Sequence, residues 1–239
     1  MSEKDKSPLP PFTKGGIEGI TKYCKTPYII YAVVMLVLIA ASRMALSVPY
    51  LGVIAAVVFL YIPITLLFVT KQLPGAYGIS KKGFGKSIAR ALLAAIVLFP
   101  VYIAGFYVYM RYAYNLHLSC TTAGFIREPQ TLLFILNMLL MVAIPEEIFY
   151  RGYLQSELRR CDKRTVNLFG VRAGMSFFIV NALFAAGHLI VLPDIARLAV
   201  FFPGLVFSWL REKDDNIAGP VVFHWLSDVL SFALFSMLR

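Results

Sequence analysis

Charged residues are scarce in this 239-residue sequence. They make up 15% of the chain, whereas 59% of the residues are hydrophobic and the mean hydropathy is +0.73. A typical soluble domain contains about 25% charged residues, so the composition excludes an ordinary soluble domain and predicts a membrane protein. At about 20 residues per crossing, the chain has room for several membrane spans but not for a second large domain.

Cysteine is also rare, and its spacing indicates no cluster. Cys24, Cys120 and Cys161 are far apart and form no C-x-x-C unit. Such spacing predicts neither a zinc site nor a disulfide framework. We expect Cys24 and Cys161 to lie beside the membrane, where a thiol can be acylated, and we interpret them as free structural thiols.

Seven apolar stretches approach or reach the length that a membrane crossing requires. They cover approximately residues 27–42, 50–70, 88–110, 131–150, 173–192, 195–210 and 219–239. The first and sixth are short, and the fourth helix is expected to continue out of the membrane to residue 160. No strand is required anywhere. The predicted fold is therefore an all-α, polytopic transmembrane bundle of about seven spans, with its site between the helices.

Basic residues are distributed unevenly outside these stretches. The polar tail (1–26) and the 71–87 and 159–172 loops are rich in Lys and Arg, whereas the 43–49, 111–130 and 193–197 loops have one or two each. Because Lys and Arg collect in cytoplasmic loops, the N-terminus is predicted to be cytoplasmic and the C-terminus external. The net charge of +10 follows from the same pattern and does not require nucleic acid. Proline and glycine predict an irregular tail.

The sequence Pro-Glu-Glu-Ile-Phe-Tyr-Arg, residues 145–151, ends the fourth span. Ionisable groups inside a membrane are costly, so they are usually paired, turned inward and functional. Glu147 and Arg151 are four residues apart and can form an ion pair on one helix face. Glu146 lies about 100° further round the helix and has no basic residue four positions on. The spacing predicts one paired carboxylate and one free carboxylate.

Two of the three histidines also fall inside predicted spans. His188 follows a Phe-Ala-Ala-Gly run whose small residues let a neighbouring helix approach closely. His224 and Asp228 share a helix face, so the carboxylate can orient the imidazole. Each cluster alone could be a structural tie between helices. Three such clusters on three otherwise apolar helices predict one inward-facing site, whereas His117 is expected in an external loop.

Several kinds of membrane protease are excluded by missing motifs. The sequence has no H-E-x-x-H, no Gly-x-Ser-Gly and no Gly-x-Gly-Asp, which argues against zinc proteases of the H-E-x-x-H type, serine proteases and paired-aspartate proteases. A glutamate with two histidines remains. This set can work as a general base with imidazoles that stabilise an oxyanion, or as a Glu/His/His zinc site.

Three motifs on separate helices carry a family resemblance. In order they are Glu146-Glu147-x-x-x-Arg151, Phe184-x-x-x-His188 and His224-x-x-x-Asp228. Together they resemble the CPBP family, which contains the type II CAAX prenyl endopeptidases, the bacteriocin-processing or self-immunity (Abi) proteins and members similar to the myxosortases. The resemblance covers residues 131–238 as a catalytic core. Residues 27–130 would then add accessory spans to a transmembrane bundle over 27–239.

The resemblance implies a glutamic-type intramembrane endopeptidase in a bacterial inner membrane, acting near the C-terminal region of membrane-associated or lipid-modified proteins. Glu146 would activate water with support from Glu147 and Arg151, and the imidazoles of His188 and His224 would bind or polarise the scissile carbonyl. The prenyl endopeptidases usually have Asn at the last motif position, which is Asp228 here. An ionised Asp cannot donate a hydrogen bond, so Asp228 is either protonated or holds His224.

Two other functions stay open at this point. The chain could be a non-catalytic bacteriocin-immunity or scaffold protein, in which the polar clusters only tie helices together. A proton-coupled transporter that uses Glu146 and His188 is less supported, because no span pair shows an inverted repeat. Zinc is an alternative cofactor with Glu146, His188 and His224 as ligands. We expect no metal, because each ligand lies on a separate helix and Arg151 adds a cation nearby.

Overall fold

The computed structural model describes residues 17–44, 48–118, 129–191 and 193–238. In chain order the elements are α1 (Ile17–Arg43), α2 (Val48–Val69), a 3-10 turn (Pro74–Tyr77), α3 (Phe84–Ala113), α4 (Pro129–Asn137), π1 (Met138–Ala143), α5 (Ile144–Glu147), π2 (Ile148–Leu154), α6 (Gln155–Arg159), β1 (Thr165–Leu168), β2 (Val171–Gly174), α7 (Met175–Val191), a second 3-10 turn (Ile195–Val200), α8 (Phe201–Asp214) and α9 (Ala218–Ser236). The predicted all-α bundle is confirmed in its main architecture.

Five helices in the described part of the chain are long and apolar enough to cross a membrane. They are Cys24–Arg43, Tyr50–Val69, Phe84–Ala113, Gln130–Arg159 and Ala218–Ser236. The fifth and sixth predicted spans are shorter. Helix α7 has 17 residues and α8 has 14, which is below the roughly 20 residues of a full crossing. Large side chains such as Leu36, Phe68 and Ile96 point outward from the long helices, as lipid-facing residues do.

Residues 129–159 form one nearly continuous helix, which we call the motif helix because it carries Glu146, Glu147 and Arg151. Two π-helical segments, π1 and π2, lie on either side of the short α5 turn that contains Pro145. Proline has no N–H to donate to the helix ladder, and π segments are frequent at functional sites. The helix type therefore changes on both sides of Pro145, around the motif.

The amino-terminal part of the bundle differs from two predictions. Helix α1 begins at Ile17, so the prediction of an irregular tail up to residue 26 is wrong for residues 17–26, and residues 1–16 lie outside the described ranges. Cys24 and Cys161 form a disulfide with a Cα–Cα distance of 6.0 Å, so they are not free thiols. Their 137-residue separation leaves no local spacing signal from which the pair could be predicted.

The absence of strands was also predicted wrongly. Strands β1 and β2 pair antiparallel, with Thr165 opposite Gly174 and Leu168 opposite Val171. They form a hairpin inside the basic loop between the motif helix and α7. The segment has the β-branched residues that favour strands, but it is short beside the apolar spans that dominate the chain.

Close helix packing depends on small residues. The Gly219 N–H donates to Ser87 Oγ at 2.9 Å. A Cβ atom added at Gly219 would lie 2.6 Å from that oxygen, so glycine is needed where α9 begins against α3. This contact sets the position of α9, which carries His224.

Tertiary contacts show which connecting loops lie at the same end of the bundle. At one end Arg160 donates to Gln72, Asn216 donates to the Ser80 carbonyl, and Cys24 joins Cys161. At the other end Leu118 bridges to Leu238. The Lys- and Arg-rich 71–87 and 159–172 loops therefore share one end, as the predicted topology requires.

We expect this basic end to face the cytoplasm, because Lys and Arg in short loops determine orientation. A reporter fused after Lys82 or after Lys163 should be cytoplasmic, and a reporter fused within residues 121–130 should be external. Paired cytoplasmic and periplasmic reporters at the same three positions would measure this. The reverse pattern would overturn the orientation with the N-terminus inside.

Candidate active site

The centre of the bundle contains a buried polar cluster built from four helical elements. Glu147 on α5, Arg151 on π2 and Asn181 on α7 are 0% exposed, and His224 on α9 is 4% exposed. Buried charges are tolerated when they are paired and hydrogen-bonded. The contacts described below meet that condition for most of the polar atoms.

The predicted ion pair is present. Arg151 Nη1 donates to Glu147 Oε1 at 3.1 Å, with both side chains fully buried. The same carboxylate oxygen lies 2.8 Å from His224 Nδ1. Glu147 therefore joins the motif helix to α9. It also orients the His224 imidazole, a role that the sequence analysis gave to Asp228.

Glu146 is the free carboxylate that the spacing predicts. Its side chain is 15% exposed, and its Oε2 lies 3.9 Å from His224 Nε2. That oxygen is buried and has no hydrogen-bond partner among the described residues. Glu146 thus faces the opposite ring nitrogen from the one held by Glu147, and its buried oxygen is available to a water molecule or a substrate.

Asp228 and His188 complete the set of predicted residues. Asp228 Oδ2 lies 3.5 Å from His224 Nε2, and its side chain is 30% exposed. The His188 Nδ1 atom lies 2.9 Å from the Phe184 carbonyl of its own helix, which leaves Nε2 free to face other groups. His188 also lies within electrostatic range of Asp228. All six predicted residues therefore belong to one neighbourhood.

Aromatic rings surround the charged groups. Phe207 stacks on the His224 ring at 4.8 Å between centroids, with 16° between the planes. The Arg151 guanidinium lies 4.4 Å from the Phe184 ring centroid and 4.8 Å from that of Phe207. Such rings attract a cation through their faces and exclude water, so electrostatic interactions inside the site are stronger than in water.

Asn181 is a site residue that sequence reasoning missed. Its Oδ1 accepts a hydrogen bond of 3.1 Å from Arg151 Nη2, and its Nδ2 donates to Ser208 Oγ at 2.9 Å. A Cβ atom on Gly204 would lie 2.6 Å from Asn181 Oδ1, so glycine leaves room for this contact. Asn181 precedes His188 by seven residues, two helical turns on the same face, and that spacing was an available signal.

Tyr150 and Tyr153 were also misplaced. Their position at the end of the predicted fourth span favours interfacial aromatics, but they are 2% and 3% exposed and belong to the main core. The Tyr150 hydroxyl lies where a Cβ atom on Gly187 would be only 2.7 Å away. Both are on the inner side of the motif helix, because Tyr150 follows Glu146 by four residues and therefore shares its face.

A second polar network holds the end of the motif helix beyond Arg151. Gln155 Nε2 donates to Glu212 Oε1 at 2.9 Å, and Tyr77 donates to Glu157 Oε1 at 3.1 Å. Burial raises the pKa of the Tyr77 hydroxyl, and the Glu157 carboxylate raises it further, so the phenol keeps its proton and remains a donor. This network fixes the axial position of the motif helix relative to α8.

In the described ranges no three His, Cys, Asp or Glu side chains are arranged to hold a metal ion. A catalytic zinc site combines three protein ligands with a water molecule. The expectation that this protein needs no metal stays a prediction, which the chelation experiment below tests.

The fold and the site together define a polytopic membrane protein with a Glu/Glu/Arg/His/His/Asp cluster between its helices. Residues 128–230 match the family model described as type II CAAX prenyl endopeptidase Rce1-like. The matched region contains all three motifs, and it confirms the resemblance to the CPBP intramembrane proteases. No curated protein and no solved structure matches the chain.

Proposed function

We propose that this protein is a glutamic-type intramembrane endopeptidase that cleaves near the C-terminal region of membrane-associated or lipid-modified proteins. One observation carries the proposal. Glu146 presents an unpartnered carboxylate oxygen 3.9 Å from an imidazole whose other nitrogen is held by the buried Glu147. A free base beside an oriented imidazole is the arrangement that general-base hydrolysis needs.

In the proposed mechanism Glu146 removes a proton from a water molecule as that water attacks the scissile carbonyl carbon. The carbonyl oxygen becomes an oxyanion and accepts hydrogen bonds from the Nε2–H groups of His188 and His224 in their protonated, imidazolium forms, because Nδ1–H of each ring already donates to the Phe184 carbonyl or to Glu147. When the C–N bond breaks, Glu146 returns the proton to the leaving amine. Donors placed where negative charge develops typically contribute 10²–10³-fold to the rate.

Glu147 and Arg151 act on this chemistry through His224. The Glu147 carboxylate accepts from Nδ1 of the ring, which turns Nε2 towards Glu146 and Asp228. Arg151 offsets the charge of the buried carboxylate. Asp228 lies beside Nε2 and is more exposed than Glu146 and Glu147, so we assign it to holding His224 and not to donating to the oxyanion.

The runner-up is a non-catalytic bacteriocin-immunity or scaffold protein. The observation that favours it is the tie made by Arg151, which bonds Glu147, Asn181 and the Gly204 carbonyl and so joins the motif helix, α7 and α8. A purely structural role would explain these contacts. It would not explain the unpartnered Glu146 oxygen.

Purified protein in detergent should be tested against a library of membrane-anchored C-terminal peptides, with products identified by mass spectrometry. We expect cleavage at a defined bond near the C-terminus of some members. A protein that folds, binds peptides and cleaves none would support the scaffold function. Comparing prenylated and unmodified peptides of one sequence would show whether a lipid group is required.

Metal dependence is a separate prediction. We expect peptide cleavage to survive exhaustive treatment with a strong chelator, because a glutamate base with imidazole donors requires no metal. Elemental analysis of pure, active enzyme should show no stoichiometric zinc. Loss of activity on chelation that zinc restores would contradict this, and would reassign Glu146, His188 and His224 as ligands.

A further inference from the structure

The hairpin between the motif helix and α7 has, at its tip, a residue type that is unfavourable for the backbone conformation found there. Phe169 and Gly170 are the two turn residues, with φ values of 49° and 77°. Two positive φ angles define a type I′ turn, where Asn, Asp and Gly are preferred. A bulky residue in this region is an outlier, and such local strain suggests a function for the side chain.

Helix α8 holds this tip in place. Trp209 Nε1 donates to the Phe169 carbonyl at 3.2 Å, and Lys213 Nζ donates to the Gly170 carbonyl at 3.2 Å. The Asn167 side chain accepts from the Gly170 N–H at 3.0 Å. The turn is therefore fixed to the bundle, and the direction of the Phe169 side chain is set by the fold.

That side chain points away from the protein. Phe169 is 84% exposed and Val166 is 61% exposed, although the bundle offers an apolar core nearby. The hairpin segment, residues 163–174, also contains Lys163, Arg164 and Arg172 and no acidic residue. All three cations are exposed. The hairpin thus presents apolar side chains flanked by positive charge.

The position of the hairpin indicates what covers it. Its first strand, β1, starts six residues after Arg159, where a candidate membrane span ends, and the hairpin lies at the basic end of the bundle. A segment there meets the lipid headgroup layer. Apolar side chains flanked by Lys and Arg bind that layer by inserting the apolar groups and by attracting anionic lipids.

We propose that the 163–174 hairpin is a binding element for acidic phospholipid headgroups, with Phe169 inserted at the membrane interface. This inference depends on the membrane fold and is independent of the proposed protease activity. The hairpin leads directly into α7, and Asp162 at its base accepts from the Ser176 N–H at 2.9 Å. Lipid bound at the hairpin would therefore also hold the start of the helix that carries Asn181 and His188.

The native tryptophans allow a direct test. The chain has two, Trp209 and Trp225, so a Trp225→Phe variant leaves Trp209, which contacts the hairpin tip, as the single reporter. The protein is placed in bilayers that contain brominated phosphatidylglycerol or brominated phosphatidylcholine at equal mole fraction. We expect stronger quenching of Trp209 emission by the acidic lipid, with a preference that falls at high salt.

Variants of the hairpin separate the contribution of its cations from that of Phe169 to lipid binding. In the same background Arg164→Gln with Arg172→Gln should lower the preference for acidic lipid at least tenfold, since each surface cation contributes about fivefold. Phe169→Ser should weaken quenching by both lipids. The matched control, Lys71→Gln with Lys81→Gln, removes two exposed cations at the same end outside the hairpin and should keep most of the preference.

Three outcomes would overturn the proposal. Equal quenching by the two lipids would show that the headgroup charge is not recognised. An equal loss of preference in the control variant would show a general effect of surface charge. Absence of quenching by either lipid would place the hairpin tip outside the bilayer and would favour a protein partner instead.

Discussion

Glu146→Gln is expected to abolish peptide cleavage while expression, membrane insertion and thermal stability stay near wild type. The amide keeps the shape of the side chain and loses the base. General-base catalysis typically contributes 10²–10⁴-fold, so we expect cleavage to fall by roughly 10³-fold. Stability should change little, because Glu146 is partly exposed and its Oε2 has no partner to lose within the described residues.

The measurement is cleavage of the best library peptide by purified variant and wild-type protein, with thermal unfolding as the control for folding. A variant that kept more than a small fraction of activity would show that Glu146 is not the base. His188→Gln and His224→Gln extend the same comparison. Each should reduce the rate by replacing a charged imidazolium donor with a weaker, neutral amide donor, and His224→Gln should also disturb Glu147.

The bundle itself was predictable from the sequence because apolar length is a strong signal. Spans of 20 or more apolar residues were placed well, as at Tyr50–Val69 and Phe84–Ala113. The fifth and sixth predicted spans coincide with the shorter helices α7 and α8, whose 17 and 14 residues leave a full crossing unconfirmed by length. The 165–174 hairpin was missed, because its pairing depends on a turn with positive φ angles that the composition does not favour.

The site residues also divide into some that the sequence predicts and some that it does not. The Glu147–Arg151 pair follows from an i, i+4 spacing that any helix would bring together. Asn181 was not identified, because its role depends on a hydrogen bond with Arg151 that forms only when α7 packs against the motif helix. Tyr150 was misassigned because the motif helix continues to Arg159, so Tyr150 does not lie at the helix end and packs against Tyr31, Phe59 and Phe184. Packing between distant parts of the chain, and not a local sequence pattern, determines the contacts of Asn181 and Tyr150.

The disulfide and the charge pattern predict different compartments for the basic end of the bundle. Disulfides persist in oxidising compartments and are rare in the cytoplasm, whereas Lys- and Arg-rich loops are cytoplasmic. Cys24 and Cys161 lie at that end. The reporter fusions therefore test both at once, and a cytoplasmic result would require the Cys24–Cys161 pair to be reduced in the cell.

Glu147→Gln is expected to destabilise the fold. Glu147 Oε1 accepts from both Arg151 and His224 inside a fully buried cluster, so the substitution leaves the Arg151 cation uncompensated. Breaking a buried ion pair from one side costs about 3–5 kcal/mol. For a chain of this size that corresponds to a fall in Tm of roughly 10 °C, measured by thermal unfolding in detergent.

The neighbouring Glu146→Gln variant is the matched control, since it is the same chemical change one residue earlier on the same helix. A double variant, Glu147→Gln with Arg151→Gln, removes the cation as well and should recover part of the lost stability. That non-additivity is the signature of a direct pair. If Glu147→Gln were as stable as Glu146→Gln, the buried carboxylate would not hold the cluster together, and orientation of His224 would have to come from Asp228 alone.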